Sequence, residues 1–285
     1  MRAGKPFRAL ATNGHTMKID VFNTTMTPFG RETTFRVMTP DGYEDGDRLY
    51  PVLYMNDGQD IFTDESAVND EGGMRYAEYY SLYSRYLPKI IIVGIDCPRN
   101  NVERTRLYTP YHKKFVAPEW STFENEVDGQ GKQYVEWIAD ELKPWIDDRY
   151  RTRSQRGYTA FGGLSTGAVV TSYGVFTRPD VFSRMILLSG ALYHWMEHLE
   201  NTLEQCSLDH LRYIYLDVGT EERGRLTDSG EFLAGARTMR DKLASCGFDG
   251  SQLRYEEFKG FKHTFTCFRT RFPNAVRWIF QDIAD

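Results

Sequence analysis

The sequence predicts an α/β fold: a central, mostly parallel twisted sheet with helices on both faces and antiparallel strands at its N-terminal edge. Three observations predict it. Short apolar runs bounded by turn residues alternate with helix-period segments through most of the chain. Residues 17–23 and 33–38 instead alternate apolar with polar side chains around Pro28-Phe29-Gly30, the pattern of paired antiparallel strands. Residues 158–167 read as a buried strand, a sharp turn and the start of a helix.

Taken in order, Pro40-Asp41-Gly42 makes a turn and residues 50–55 form a near-continuous apolar run suited to a central strand. That strand empties into Asn56-Asp57-Gly58-Gln59-Asp60, a polar loop with a glycine at its centre. Residues 66–86 carry aromatics at partly helical spacing, a helix or irregular insertion, before the buried strand 89–95. Residues 101–114 read as a loop rich in arginine, tyrosine and proline, either lining a cleft or making a solvated excursion.

Residues 115–131 are polar and aromatic, and Glu124, Glu126 and Asp128 lack the glycine placement and later glutamate of a calcium loop, so no metal is expected. Tyr134, Trp137, Ile138, Leu142 and Ile146 recur at three- and four-residue spacing, one amphipathic helix with Pro144 as a kink. After the turn at residues 162–167 come strands at 185–190 and 213–218, a helix over 232–243, a strand over 252–258 and a closing helix from about 272 to 283. No repeat or linker interrupts the series, so residues 1–285 are expected to form one domain.

A net charge of −5 argues against a nucleic-acid or anionic-membrane partner, and 41% hydrophobic with 26% charged residues is ordinary for a soluble globular chain. The basic residues near Met1 precede no apolar h-region, and no run of about 18 apolar residues occurs, so a cytoplasmic location is expected. The four cysteines lack C-x-x-C spacing, which favours reduced thiols.

Gly163-Leu164-Ser165-Thr166-Gly167 is a G-x-S-x-G between strand and helix, the context of a nucleophile elbow, with Gly162, Gly163 and Gly167 giving room for the tight turn. A packing turn is the plain alternative. A serine hydroxyl needs a histidine base and a carboxylate to orient it, expected in the order serine, acid, histidine. Of six histidines, four follow Ser165; His263 stands just beyond the last expected strand and is the choice over His194, His198 and His210. Asp217, Glu221, Glu222 and Asp228 all qualify as the acid by position; Glu222 is favoured, with Glu221 and Asp217 in reserve, because the segment 219–222 can turn toward the histidine. The N–H groups of Gln59 and Thr166 are the candidate oxyanion hole. Asp57, Arg104, Arg106 and Tyr108 are candidate substrate-binding residues.

From residue 33 onward the chain resembles the putative-esterase, esterase D-like, family of α/β-hydrolases, which includes enterochelin, feruloyl and acetylxylan esterases. The resemblance is carried by residues 50–59, 161–167, 179–182, 219–222 and 260–263. It implies Ser165 as nucleophile, His263 as base and an acid after Gly219-Thr220; no cofactor is expected. Thr166 stands where the family often has methionine, which leaves the backbone N–H intact. The family also suggests that residues 104–111 and 119–131 border the cleft. The expected function is a serine carboxylic-ester hydrolase, acting through an acyl-enzyme on a small-molecule or saccharide ester of acetyl or feruloyl type. An acyltransferase with the same residues, a non-catalytic binding protein on this scaffold and a metal-dependent hydrolase are the rivals; oligomeric state is open.

Overall fold

In the computed structural model, which describes residues 7–12, 15–68, 71–114, 126–225 and 227–283, nine strands form one sheet in the order β1-β2-β3-β5-β4-β8-β9-β10-β11. Strands β1 (Phe7–Thr12), β2 (His15–Met26) and β3 (Arg31–Thr39) are antiparallel, and β3 joins β5 (Ile91–Ile95) antiparallel. From β5 the sheet is parallel through β4 (Val52–Asn56), β8 (Thr159–Leu164), β9 (Arg184–Leu188), β10 (Tyr213–Gly219) and β11 (Leu253–Phe258). The expected fold class is therefore the observed one. A separate pair, β6 (His112–Lys114) and β7 (Glu126–Asp128), lies outside this sheet.

The central strands are buried on both faces, which is why they read as apolar runs without alternation. The period of two is still present in space. Phe161, Met185, Leu187 and Leu216 pack into one core cluster, while Ala160, Ile186, Leu188 and Tyr215 pack into the other. The first face meets α3 (Gly131–Trp137), α5 (Thr166–Thr177), α6 (Met196–Glu204) and α7 (Ser229–Ser245); the second meets α1 (Tyr76–Tyr83) and α8 (Phe265–Ile279).

Four local expectations change. Residues 101–108 are helix α2 (Asn101–Tyr108) and not loop, because Asn100 caps it, its side chain accepting from the N–H groups of Val102 and Glu103. The expected single helix around Tyr134 is α3, a π turn (Ile138–Leu142) and α4 (Lys143–Arg149). Pro144 offers no N–H and crowds the carbonyl four residues back, so the wider turn just ahead of it absorbs the misfit. The last helix begins at Phe265 because the Thr264 side chain caps it, accepting from Cys267; Pro273, which reads as a first-turn residue, lies inside. Strand β1, unforeseen in the sequence, extends the antiparallel edge.

No helix of the described residues is long and apolar enough to cross a membrane. All four cysteines are free thiols.

At the turn after β8 the glycines are not equivalent. A Cβ on Gly163 would stand 2.3 Å from the Gly167 carbonyl oxygen, whereas one on Gly167 would meet nothing closer than 3.4 Å. The expectation that Gly167 is needed for room is corrected. Gly163→Ala is expected to destabilise by about 1–3 kcal/mol through overpacking against backbone, and Gly167→Ala by less than half as much; urea midpoints of the two variants check the order.

Candidate active site

Ser165 sits between β8 and α5 with φ 55° and ψ −125°. A non-glycine residue holds such a conformation only when its surroundings over-determine it. Here the Ser165 N–H donates to the Leu188 carbonyl at 3.1 Å, and its own carbonyl accepts from Ala168 at 3.1 Å and Ala191 at 3.0 Å. Asn56, at the end of β4, ties the next turn down: its amide donates to the Gly167 carbonyl (3.2 Å) and to the Thr171 hydroxyl (3.0 Å), and it accepts from the Tyr134 hydroxyl at 2.8 Å.

The loop after β4 turns through Asp57, also left-handed at φ 60°, into a 3-10 turn (Gly58–Asp60). Gln59 is locked there. Its side-chain N–H groups donate to Asp60 at 2.8 Å and to the Cys97 sulfur at 3.2 Å, and its oxygen accepts from the Cys97 N–H at 3.0 Å. Burial pushes the Asp60 carboxyl up to about 6. Gln59, Thr166, Ser165 and His263 all line one cleft of about 840 Å³. Thr166 is the first residue of α5, where the N–H has no intrahelical acceptor.

His263 lies between β11 and α8, its ring 4.7 Å from Phe232 and 5.1 Å from Phe268. Its Nδ1 stands 2.8 Å from Glu222 Oε2. A carboxylate can only accept there, so Nδ1 carries the proton and Nε2 is left as the acceptor nitrogen. Glu222 is fully buried. Its other oxygen accepts from the Gly219 N–H at 2.6 Å, from the Ser189 hydroxyl and from Arg271 at 3.5 Å. Burial alone would raise its carboxyl, but the His263 hydrogen bond and charge, with Ser189 and Arg271, hold it below its ordinary value. A buried, charged carboxylate oriented on an imidazole is an arrangement that can stabilise an imidazolium.

The other acid candidates lie elsewhere. Asp217 is buried in β10 and pairs with Arg271 of α8 at 3.0 Å, and it also accepts from the Ser189 N–H at 3.1 Å. Burial lifts it to about 6 despite that arginine. Glu221 is exposed, and Asp228 caps α7 in a capping box with Glu231. Arg271, unforeseen in the sequence, is 1% exposed, reaches Asp217, Ser189 and Glu222 together, and is flanked by the rings of Phe258, Phe261 and Phe268 at 5.2 to 5.7 Å. The available signal was a charge on the apolar stripe Phe268, Phe272, Ala275 of α8.

Removing one member of such a buried pair leaves the other uncompensated. Arg271→Ala is expected to cost about 3–5 kcal/mol above pH 6, where Asp217 is ionised. Because the folded protein binds the Asp217 proton more tightly than an unfolded chain, that carboxyl is neutral in the fold at pH 5, and the loss should shrink there. Denaturant unfolding at pH 5 and pH 8 checks both size and sign.

Of the substrate-binding candidates, Asp57 and Arg104 line the cleft, joined by two bonds of 2.7 and 2.8 Å. Arg106 and Tyr108 do not line it, which corrects that assignment. Tyr108 is fully buried beneath Arg104, its oxygen accepting from the Asp57 N–H at 2.9 Å. Arg106 pairs with Glu103 at 3.2 Å, on another side of α2. His194 lines the cleft wall and His198 stacks on Tyr111. Within the 119–131 segment, residues 119–125, Glu124 among them, lie outside the described residues, and 126–131 do not line the cleft.

The fold and sequence are shared with known proteins. YbbA of Bacillus subtilis (strain 168) is 22% identical over 248 residues, 86% of this chain and 92% of that protein. An IroE-like serine hydrolase from Shewanella oneidensis superposes with a TM-score of 0.72 at 23% identity, covering 94% of this chain and 82% of its own. The siderophore hydrolase EstA from Aspergillus nidulans gives 0.71 at 15% identity, over 93% and 95%. Residues 27–279 match the putative esterase family across most of the chain, so the protein belongs to that family, and ester hydrolysis is the activity its membership and fold support.

Proposed function

We propose that the protein is a cofactor-free serine esterase working through an acyl-enzyme. The observation that carries this reading is the 2.8 Å contact of His263 with buried Glu222 on the cleft that the strained Ser165 also lines. His263 Nε2 takes the Ser165 proton as Oγ attacks the ester carbonyl. The N–H groups of Gln59 and Thr166 receive the oxyanion, and His263 then protonates the departing alcohol. Water, activated by the same imidazole, attacks the acyl-enzyme and releases the acid.

Trp195, Phe232, Phe265 and Phe268 on the cleft wall support an aromatic acyl or saccharide moiety, since both pack on aromatic faces. Hydrolysis of an aryl acetate and a feruloyl ester side by side, with fluorophosphonate labelling mapped by mass, tests the reading. The label is expected on Ser165, and the ratio of the two rates reports acetyl or feruloyl preference. A label elsewhere, or turnover that survives saturating fluorophosphonate, overturns the mechanism.

A further inference from the structure

Four arginines gather on one cleft of an acidic chain. Arg99 and Arg104 enter it from the end of β5 and the first turn of α2, and Arg223 and Arg225 enter from the segment between Glu222 and α7. Ser165 and His263 line the same space. A protein of net charge −5 that gathers four guanidinium groups around one cleft does so against its overall balance.

Three carboxylates, Asp57, Asp60 and Glu71, share the lining with the four arginines. Asp57 is taken up by Arg104 through both oxygens, and the oxygens of Asp60 accept from the Val68 N–H and the Gln59 amide. No carboxylate among the described residues pairs with Arg225. Arg225 is exposed where it lines the cleft, and partial desolvation and then the positive charge of Arg104 lower its proton affinity, so arginines from the two arms lie near enough to repel. Like charges that converge on a cleft cost free energy in the empty protein, and an anion between them recovers it. Guanidinium groups present paired N–H donors that match a planar oxyanion.

The geometry points to an ester substrate that itself carries a carboxylate-type oxyanion, held between the Arg99/Arg104 arm and the Arg223/Arg225 arm while its ester bond lies over Ser165. This assignment rests on the esterase reading and narrows it: a neutral acetyl or feruloyl ester fills the aromatic wall and leaves Arg225 without a counter-charge among the described residues. The charge can sit on the acyl side or the alcohol side, and matched ester pairs separate the two.

The experiment compares 4-nitrophenyl hydrogen glutarate with 4-nitrophenyl pentanoate, and 4-acetoxybenzoate with 4-acetoxybenzamide. In at least one pair kcat/KM is expected to favour the anion by about tenfold or more, the worth of one charge-assisted hydrogen bond. That ratio should fall about tenfold in Arg225→Gln and decline with added salt, but hold in Arg149→Gln, which removes the same charge outside the cleft. Calorimetric binding of glutarate and 4-hydroxybenzoate to the wild type gives an answer that needs no turnover. Ratios near one in both pairs, a ratio that Arg225→Gln leaves intact, or no binding of either acid overturns the assignment. Ser165→Ala separates the two levels: turnover of the neutral esters that survives it overturns the serine mechanism and leaves the anion preference to be read from binding.

Discussion

Ser165→Ala is expected to lower kcat on 4-nitrophenyl acetate by about a million-fold, leaving only the residual acceleration that the oxyanion donors and binding supply. Without Oγ no acyl-enzyme forms, and the oriented imidazole of His263 has no nucleophile to deprotonate. KM should rise toward the dissociation constant, because the wild-type value is lowered by an acyl-enzyme that accumulates when deacylation limits turnover. The turn itself should survive, since φ 55° is held by backbone bonds to Leu188, Ala168 and Ala191 and not by the side chain. A burst experiment makes the check direct: wild type releases one equivalent of nitrophenol ahead of the steady state and the variant releases none. A variant that keeps a tenth of the wild-type rate sinks the mechanism.

The second large effect is at the acid. Glu222→Gln is expected to lower kcat about ten-thousand-fold, by analogy with serine hydrolases whose acid becomes an amide. The amide can turn its NH2 toward His263 Nδ1, which selects the tautomer with a proton on Nε2, the wrong nitrogen for a base. Glu221→Gln, at an exposed position without contact to His263, should stay within about twofold of wild type. The carboxyl of Glu222 is held below its ordinary value, so it is the ionised partner of His263 at neutral pH, where the loss is expected. Activity in Glu222→Gln close to that of Glu221→Gln would move the acid role elsewhere. Asp217 is the position to test next, although Arg271 already claims its carboxylate.

Much of this arrangement was legible because it is local. The strand-turn-helix around Ser165 occupies ten residues, and His263 follows a strand whose apolar pattern is plain. The carboxylate that meets His263 was less legible because four carboxylates lie within twelve residues of one another. What separates them is a residue of α8: Arg271 binds Asp217 at 3.0 Å, while Glu222, only 3.5 Å from the same guanidinium, keeps its second oxygen for His263.

The substrate-binding residues show the opposite case. Reading 101–114 as a loop made Arg104, Arg106 and Tyr108 equivalent, but a capped helix turns about 100° per residue and parts them. Arg104 reaches the cleft, Arg106 points to another side, and Tyr108, one turn on, is buried beneath Arg104. The arginines of the 223–225 segment carry no periodicity, and nothing in their spacing announces a shared wall with Arg99 and Arg104.

The sequence by itself determined the layered α/β architecture, the strand-turn-helix around Ser165 and the place of His263 beyond the last strand, because strand burial, helix period and a strained glycine-flanked turn are written in neighbouring residues. Only the tertiary structure decided which carboxylate meets His263, which arginines meet one another, and which candidates are turned into the core. Those outcomes depend on distances between β10, α2 and α8 that close only when the sheet and its helices pack together.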